Sequence, residues 1–188
     1  PIADGNDSSA IEVQGTTGGT TKTANASTYN GSSWSSITAC SNSGSGGQGG
    51  GTTSNFLIAG SNAHTGINSA EKWNGSSWSA STNPSTQRRE AQGGGNSSAG
   101  YIAGGQDGTS SETILATSES WDGSSWTAKE TMSEGKSSAH HTSTGSLTSS
   151  NGAIATAGHT TGHGFTDTTF LYTVADPVNI QEGTVFEE

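Results

Sequence analysis

The chain has 188 residues and a formal net charge of −10; 29 residues are Gly, and Gly, Ser and Thr together make up nearly half of it. Leu, Ile, Val and Phe are too scarce for a conventional helical domain, yet so weak a net charge does not hold a chain open. The acidic pI near 4.7 argues against nucleic-acid binding. Composition therefore leaves a thin-cored β protein or a flexible low-complexity segment.

Membrane insertion and disulfide chemistry are also disfavoured. No apolar run approaches the roughly 18 residues that a helix needs to cross a bilayer, so we expect no membrane insertion. The single cysteine, Cys40, cannot form an internal disulfide or a thiolate metal site on its own.

In chain order, the first predicted strand is residues 11–15 (Ile-Glu-Val-Gln-Gly), and the first strong motif is residues 29–34 (Tyr-Asn-Gly-Ser-Ser-Trp). The motif returns at 73–78 as Trp-Asn-Gly-Ser-Ser-Trp and at 121–126 as Trp-Asp-Gly-Ser-Ser-Trp. The closing Trp thus recurs after 44 and then 48 residues, which is typical of an internal structural repeat. The repeat anchors are Tyr29, Trp34, Trp73, Trp78, Trp121 and Trp126.

A second landmark keeps the same phase. Residues 48–51 (Gln-Gly-Gly-Gly) lead into the apolar run 56–60, and the same four letters at 92–95 lead into the apolar run 101–105. Asn-Gly or Asp-Gly between β-favouring runs predicts a hairpin tip, and glycine strands let neighbouring backbones approach closely. Each repeat therefore predicts about four short antiparallel strands and no helix.

The pattern weakens towards the end of the chain. Residues 153–158 and 169–173 fill the strand positions of a fourth unit, but no Gly-Ser-Ser-Trp follows Tyr172. We place a repeat domain at residues 1–175, with units at approximately 1–40, 41–84, 85–132 and 133–175. Residues 176–188 are predicted to be a linker or the start of a further module.

Small antiparallel sheets cannot bury their own faces, so the units must stack. We expect an all-β fold, a β-propeller or an open array of about four small sheets, with the large Trp side chains filling the gaps between sheets. An open array would leave an exposed edge, so we expect the N-terminal segment, neighbouring subunits or further repeats to cover it.

The motifs resemble kelch repeats, in which an apolar run ending in Gly-Gly precedes an aromatic residue and then a Trp. Residues 102–105 (Ile-Ala-Gly-Gly), Trp121 and Trp126 follow that order. A closer resemblance is to the kelch-like Tyr-Asn-Gly-Ser-Ser-Trp arrays of tail and fibre proteins of marine bacteriophages, especially those infecting cyanobacteria. It covers roughly residues 11–173.

This resemblance implies a kelch-like β-propeller and a non-enzymatic structural or receptor-binding module of a phage virion, such as a tail fibre or spike. The expected partners are neighbouring virion subunits, a homo-oligomer and cell-surface glycans; the expected location is the virion surface or the extracellular space. The alternative is a carbohydrate-binding or adhesion module of a secreted bacterial protein.

The candidate ligand-binding residues lie in loops that join the second and third strands of successive units, because equivalent loops of a propeller project from one face. They are Asn62, His64, Gln106, Asp107, His159, His163 and Asp167. The two His of the set at 159 and 163 have i, i+4 spacing, but Thr-Thr-Gly between them is poor helix material. We expect no metal and no cofactor.

The acidic residues offer little chemistry. Glu71 and Glu119 occupy the same repeat position just before the anchor, where exposure on a strand face explains both. No Ser lies in a nucleophile-elbow motif, and no carboxylate pair stands out as a glycosidase dyad. We therefore expect no enzymatic activity.

Overall fold

The computed structural model describes residues 1–61, 67–107 and 113–137, together with the backbone of strands at 153–159 and 165–172. Over these residues the fold is all β, with fourteen strands and no helix. No helix in this described part of the chain could therefore span a membrane. The predicted module at residues 176–188 lies outside it.

Twelve of the strands form three four-stranded antiparallel sheets in which neighbours follow chain order. Sheet 1 contains β1 (Ile2–Gly5), β2 (Ala10–Thr17), β3 (Thr21–Tyr29) and β4 (Trp34–Ile37). Sheet 2 contains β5 (Gln48–Thr52), β6 (Asn55–Ser61), β7 (Ile67–Trp73) and β8 (Trp78–Ser81). Sheet 3 contains β9 (Gln92–Gly95), β10 (Gly100–Ala103), β11 (Ser118–Trp121) and β12 (Trp126–Lys129). A two-stranded sheet follows, made of β13 (Ala153–His159) and β14 (Phe165–Tyr172). The prediction of small antiparallel sheets is confirmed.

The three sheets share one register. The first aromatic anchor of each sheet lies opposite an equivalent residue of its second strand: Tyr29 opposite Ala10, Trp73 opposite Phe56, and Trp121 opposite Gly100. This equivalence lets each position of one sheet be compared directly with its counterparts in the other two.

A left-handed residue bends the end of the second strand in each sheet. Gly60 and Gly104 have φ values of 67° and 63°, and the corresponding residue of sheet 1, Gln14, has a φ of 56°. The pairing register shifts at this residue in sheets 1 and 2, as in a β-bulge. In sheet 1 the bulge persists without glycine, and the Gln14 side chain donates to the Asn42 carbonyl at 3.0 Å.

The first strands of the three sheets lie side by side, with β5 against both β1 and β9. A Cβ built on Gly50 of β5 would lie 2.6 Å from the carbonyl oxygen of Gly95 of β9. The glycine strands therefore allow the close backbone approach that the sequence predicted.

Apolar side chains join the sheets in two clusters. The first, between sheets 1 and 2, contains Ile2, Ile11, Val13, Ala26, Cys40, Phe56, Ile58 and Trp73, with Trp78 packed against it. The second, between sheets 2 and 3, contains Ala59, Ala70, Ala91 and Ile102, with Trp126 packed against it. The core of the protein therefore lies between its sheets.

Candidate functional site

Two of the predicted ligand-binding residues, Gln106 and Asp107, lie just beyond the end of β10. The backbone of Gln106 pairs with that of Arg89: the Gln106 amide donates to the Arg89 carbonyl at 2.8 Å, and the Arg89 amide donates back at 2.9 Å. The Asp107 amide donates to the Thr113 carbonyl at 3.0 Å. Backbone pairing thus fixes the half-buried Gln106 against the loop that connects sheets 2 and 3, and the half-buried Asp107 against Thr113 of the loop before β11.

Positive charge lies near this segment. Burial, and then the charge of Arg89, lower the pKa of Lys22 in β3. Lys22 and Arg89 therefore affect each other although they come from the first sheet and from the loop before the third. Gln106, Asp107 and Arg89 therefore lie close together at this end of the sheets, and Lys22 is within electrostatic range of Arg89.

The other predicted binding residues are not gathered into a described site. The structure places His159 at the end of β13 and Asp167 inside β14, whereas we expected both in a loop. The two strands are longer than the apolar runs suggested, because backbone pairing continues through Gly158 opposite Thr166 and His159 opposite Phe165. Asn62, His64 and His163 lie outside the described residues. Across the described residues, no three His, Cys, Asp or Glu side chains form a group that could hold a metal ion.

The repeat anchors form three equivalent ring pairs. The ring centroids are 5.4 Å apart for Tyr29 and Trp34, and 5.3 Å apart for each of the two Trp-Trp pairs, with interplanar angles of 37°, 42° and 40°. Such tilted contacts are favourable for aromatic rings. Sheets 1, 2 and 3 therefore each present an aromatic pair of similar geometry at the same place.

The indole groups tie this pair to its surroundings. The first Trp of the pair bonds within its own sheet: the indole N–H of Trp73 donates to the Thr53 carbonyl at 2.9 Å, and that of Trp121 to the Ser97 carbonyl at 3.0 Å. The second Trp bonds to the preceding sheet: Trp78 donates to the Thr38 carbonyl and Trp126 to the Thr82 carbonyl, at 2.9 Å and 3.0 Å.

The hairpin tips after each anchor share one hydrogen-bond pattern. The side-chain oxygens of Asn30, Asn74 and Asp122 accept the backbone N–H groups of both following serines at 2.8–3.0 Å. Hydrogen bonds from the backbone of Ser125, and then of Ser124, lower the pKa of Asp122. These Asx turns leave an exposed, hydroxyl-rich surface at the end of the sheets opposite to Gln106.

The expectation that Glu71 and Glu119 are solvated on a strand face is wrong. They are 3% and 2% exposed. Glu71 accepts the backbone N–H groups of Ser41 and Asn42 at 2.8 Å and 3.1 Å, which lie in the loop between sheets 1 and 2. Backbone donors of the loop that leads into its own sheet thus take the place of water around this carboxylate.

Glu119 has the same role one sheet later and gains a cation. It accepts the backbone N–H groups of Ser85 and Thr86 at 2.7 Å and 3.1 Å and forms a 3.0 Å ion pair with Arg88. Burial alone would raise the pKa of Glu119, but the hydrogen bonds from Ser85 and Thr86 and the charge of Arg88 lower it overall. The sequence signal for this role is the repetition of one acid at one repeat position.

Cys40 is the thiol of the first cluster. It is 4% exposed, and its Sγ lies 3.2 Å from the Ala24 carbonyl oxygen and 3.3 Å from the Asn42 carbonyl oxygen. Burial, and then the charge of Glu71, raise the pKa of Cys40. The protonated thiol is therefore a packing group and not an activated nucleophile.

Comparison with known proteins shows a similarity of fold. No protein-family model matches the chain, and no curated protein matches it. The solved structure of YjhT is similar, with a TM-score of 0.65 and 14% sequence identity over 81% of this chain. The match spans 50% of the YjhT chain, so this chain covers half the length of that structure. At this identity the similarity concerns the fold.

Proposed function

We propose that the sheets are blades of a kelch-like β-propeller and that the chain is a non-enzymatic module of a phage virion appendage, acting in architecture or host attachment. The side-by-side first strands and the apolar clusters between consecutive sheets support the propeller. The virion role follows from the resemblance of the Tyr-Asn-Gly-Ser-Ser-Trp repeats to those of phage fibre proteins.

The observation that carries a non-enzymatic role is the use of the buried acids. Glu71 and Glu119, which are both almost fully buried, accept hydrogen bonds from the loops between sheets. A general acid or base must lie within hydrogen-bond reach of the substrate atom to which or from which it transfers a proton. These carboxylates instead accept hydrogen bonds from the protein's own backbone. Both carboxylates therefore serve to fasten the loops between consecutive sheets.

The polar ends of the sheets favour attachment as the second part of this role. The Asx turns expose serine hydroxyls at one end, and the segment at Gln106 and Asp107 presents an amide and a carboxylate at the other. Hydroxyl, amide and carboxylate groups are suited to hydrogen bonding with sugars. A surface glycan of the host is therefore the ligand class that we propose.

Two measurements test the proposal. Immunogold labelling with antibodies against the chain is expected to mark an appendage of the virus particles that encode it; particles without label would overturn the virion role, and label on a bacterial surface would favour the secreted module. On a glycan array, Asp107→Ala is expected to weaken binding because it removes the carboxylate, whereas Asp122→Asn, which keeps its Asx turn at the opposite end of sheet 3, is expected to leave binding unchanged. Labelled particles that bind no glycan would assign the chain to architecture alone.

A further inference from the structure

Trp34 differs from its two counterparts in its exposure. It is 51% exposed and is the one exposed large hydrophobic side chain among the described residues. Trp78 and Trp126, in contrast, are partly buried against the preceding sheet. Each of those indole N–H groups donates to the carbonyl of the residue that follows the preceding outer strand, Thr38 after β4 or Thr82 after β8. No group among the described residues accepts the N–H of Trp34.

Trp34 nevertheless has the same orientation relative to its neighbouring ring as Trp78 and Trp126, which contact a preceding sheet. Its contact with Tyr29 has nearly the same centroid separation and tilt as the pairs that do meet a neighbouring sheet. An aromatic pair held in the bound geometry loses little freedom when a partner arrives. The outward face of sheet 1 is therefore preorganised to receive the end of an outer strand.

A second difference indicates where that strand comes from. Glu71 and Glu119 accept N–H groups of the loop that links their sheet to the preceding one, and the equivalent residue of sheet 1 is Ser27. Sheet 1 thus keeps the residue that meets a neighbouring sheet but lacks the residue that holds a covalent linker. This combination fits a sheet that arrives from another chain.

The rest of this face is compatible with a contact between separate chains. Where sheets 2 and 3 have the buried side chains of Ile58 and Ile102, sheet 1 has the half-buried Glu12. A polar residue here suits a face that is exposed to solvent before the two chains associate. The junctions within the chain are not exposed in this way in the folded protein.

We propose that the outward face of sheet 1, centred on Tyr29 and Trp34, binds a second copy of this chain, and that the indole N–H of Trp34 donates to a backbone carbonyl after an outer strand of that copy. Within this chain the same contact, an indole N–H on the carbonyl after an outer strand, joins consecutive sheets, so a second copy offers the kind of surface that this face fits. The inference goes beyond the virion role and does not depend on it, since it rests on the repeated contacts alone.

The experiment measures the mass of the full chain by sedimentation and light scattering over a wide concentration range. The wild type is expected to associate reversibly, and Trp34→Ala is expected to be monomeric. Trp34→Phe keeps a stacked ring but removes the N–H, so its association should weaken about 5-fold, the value of one hydrogen bond of about 1 kcal/mol. Thr16→Ala, at an exposed position of β2, is the control and should associate as the wild type does.

Far-UV circular dichroism establishes that each variant is folded, and if Trp34→Ala does not fold, Trp34→Phe decides. A wild type that stays monomeric at every concentration would overturn the proposal, even if it binds a saccharide through Trp34. Trp34 variants that associate as tightly as the wild type would also overturn it, since association would then use another surface. Virion labelling has no bearing on either result.

Discussion

The junction between sheets 1 and 2 and the junction between sheets 2 and 3 have the same backbone plan but different chemistry. The first is filled by large apolar side chains, with Phe56 opposite Trp73. In the second, Gly100 takes the place of Phe56, and the cluster contains small residues around Ile102. One register can thus be stabilised with quite different amounts of apolar volume.

Among the described residues, the second junction contains a buried ion pair that the first lacks. The loop after sheet 1 has Gly44 where the loop after sheet 2 has Arg88, and Arg88 reaches the carbonyls of Gly104 and Thr117 at 2.8 Å and 2.9 Å as well as Glu119. Burial lowers the pKa of Arg88, although hydrogen bonding to Glu119 opposes this. The comparison teaches that the repeat conserves backbone contacts and exchanges apolar packing for a buried ion pair.

The largest effect is expected from removing apolar volume in the first junction. Phe56→Ala should lower the free energy of unfolding by about 4 kcal/mol, because Phe56 is fully buried and its loss leaves a cavity. Chemical denaturation monitored by tryptophan fluorescence measures this. Phe56→Leu is the matched control and should cost about 1 kcal/mol. A loss below about 1 kcal/mol for Phe56→Ala would mean that apolar packing does not hold this junction.

The second junction should respond most strongly to its ion pair. Glu119→Gln is expected to lower the free energy of unfolding by about 3 kcal/mol, because it leaves Arg88 buried without a counter-ion. Adding Arg88→Met should restore at least half of the loss, since the double variant has no unpaired charge.

Glu71→Gln is the matched control in the first junction. No cation occupies the position of Arg88 there, and an amide oxygen can still accept from Ser41, so the expected loss is about 1 kcal/mol. Equal losses for Glu71→Gln and Glu119→Gln would contradict the distinction between the two junctions.

Much of the fold could be predicted because its determinants are local. The spacing of the anchors, the hairpin tips and the glycine strands follow from short stretches of sequence, and they predicted small antiparallel sheets. The hairpin tips differ from the prediction in one respect, since only the glycine has a left-handed backbone. Gly75 has a φ of 96°, whereas Asn74 contributes through its side-chain oxygen, which accepts from Ser76 and Ser77.

The candidate sites were harder to predict because they depend on contacts between units. Whether a strand carboxylate is solvated or buried is decided by the loop that reaches it, and for Glu119 that loop begins more than thirty residues earlier, at Ser85. Trp34 likewise shares its local motif with Trp78, and its exposure depends on the absence of a preceding sheet in the described residues. The repeated acid at Glu71 and Glu119 was the visible signal for a shared structural role.

The smallest effect is expected at a place where the sheets do not differ in structure. Asp122 accepts the N–H groups of the two serines that follow it, as Asn74 does in sheet 2, so Asp122→Asn should leave the thermal midpoint at neutral pH unchanged. Hydrogen bonds from Ser125 and Ser124 hold the pKa of Asp122 below its usual 3.8 in the folded state. Above that pH the ionised carboxylate therefore stabilises the fold relative to the protonated acid, and this advantage is lost as the pH falls through the folded value. Thermal melts of both proteins from neutral pH into acid measure the difference, which should be small because the side chain is exposed. If Asp122→Asn lowers the midpoint at neutral pH, the charge contributes something that the amide of sheet 2 does not, and the hairpin tips are not equivalent.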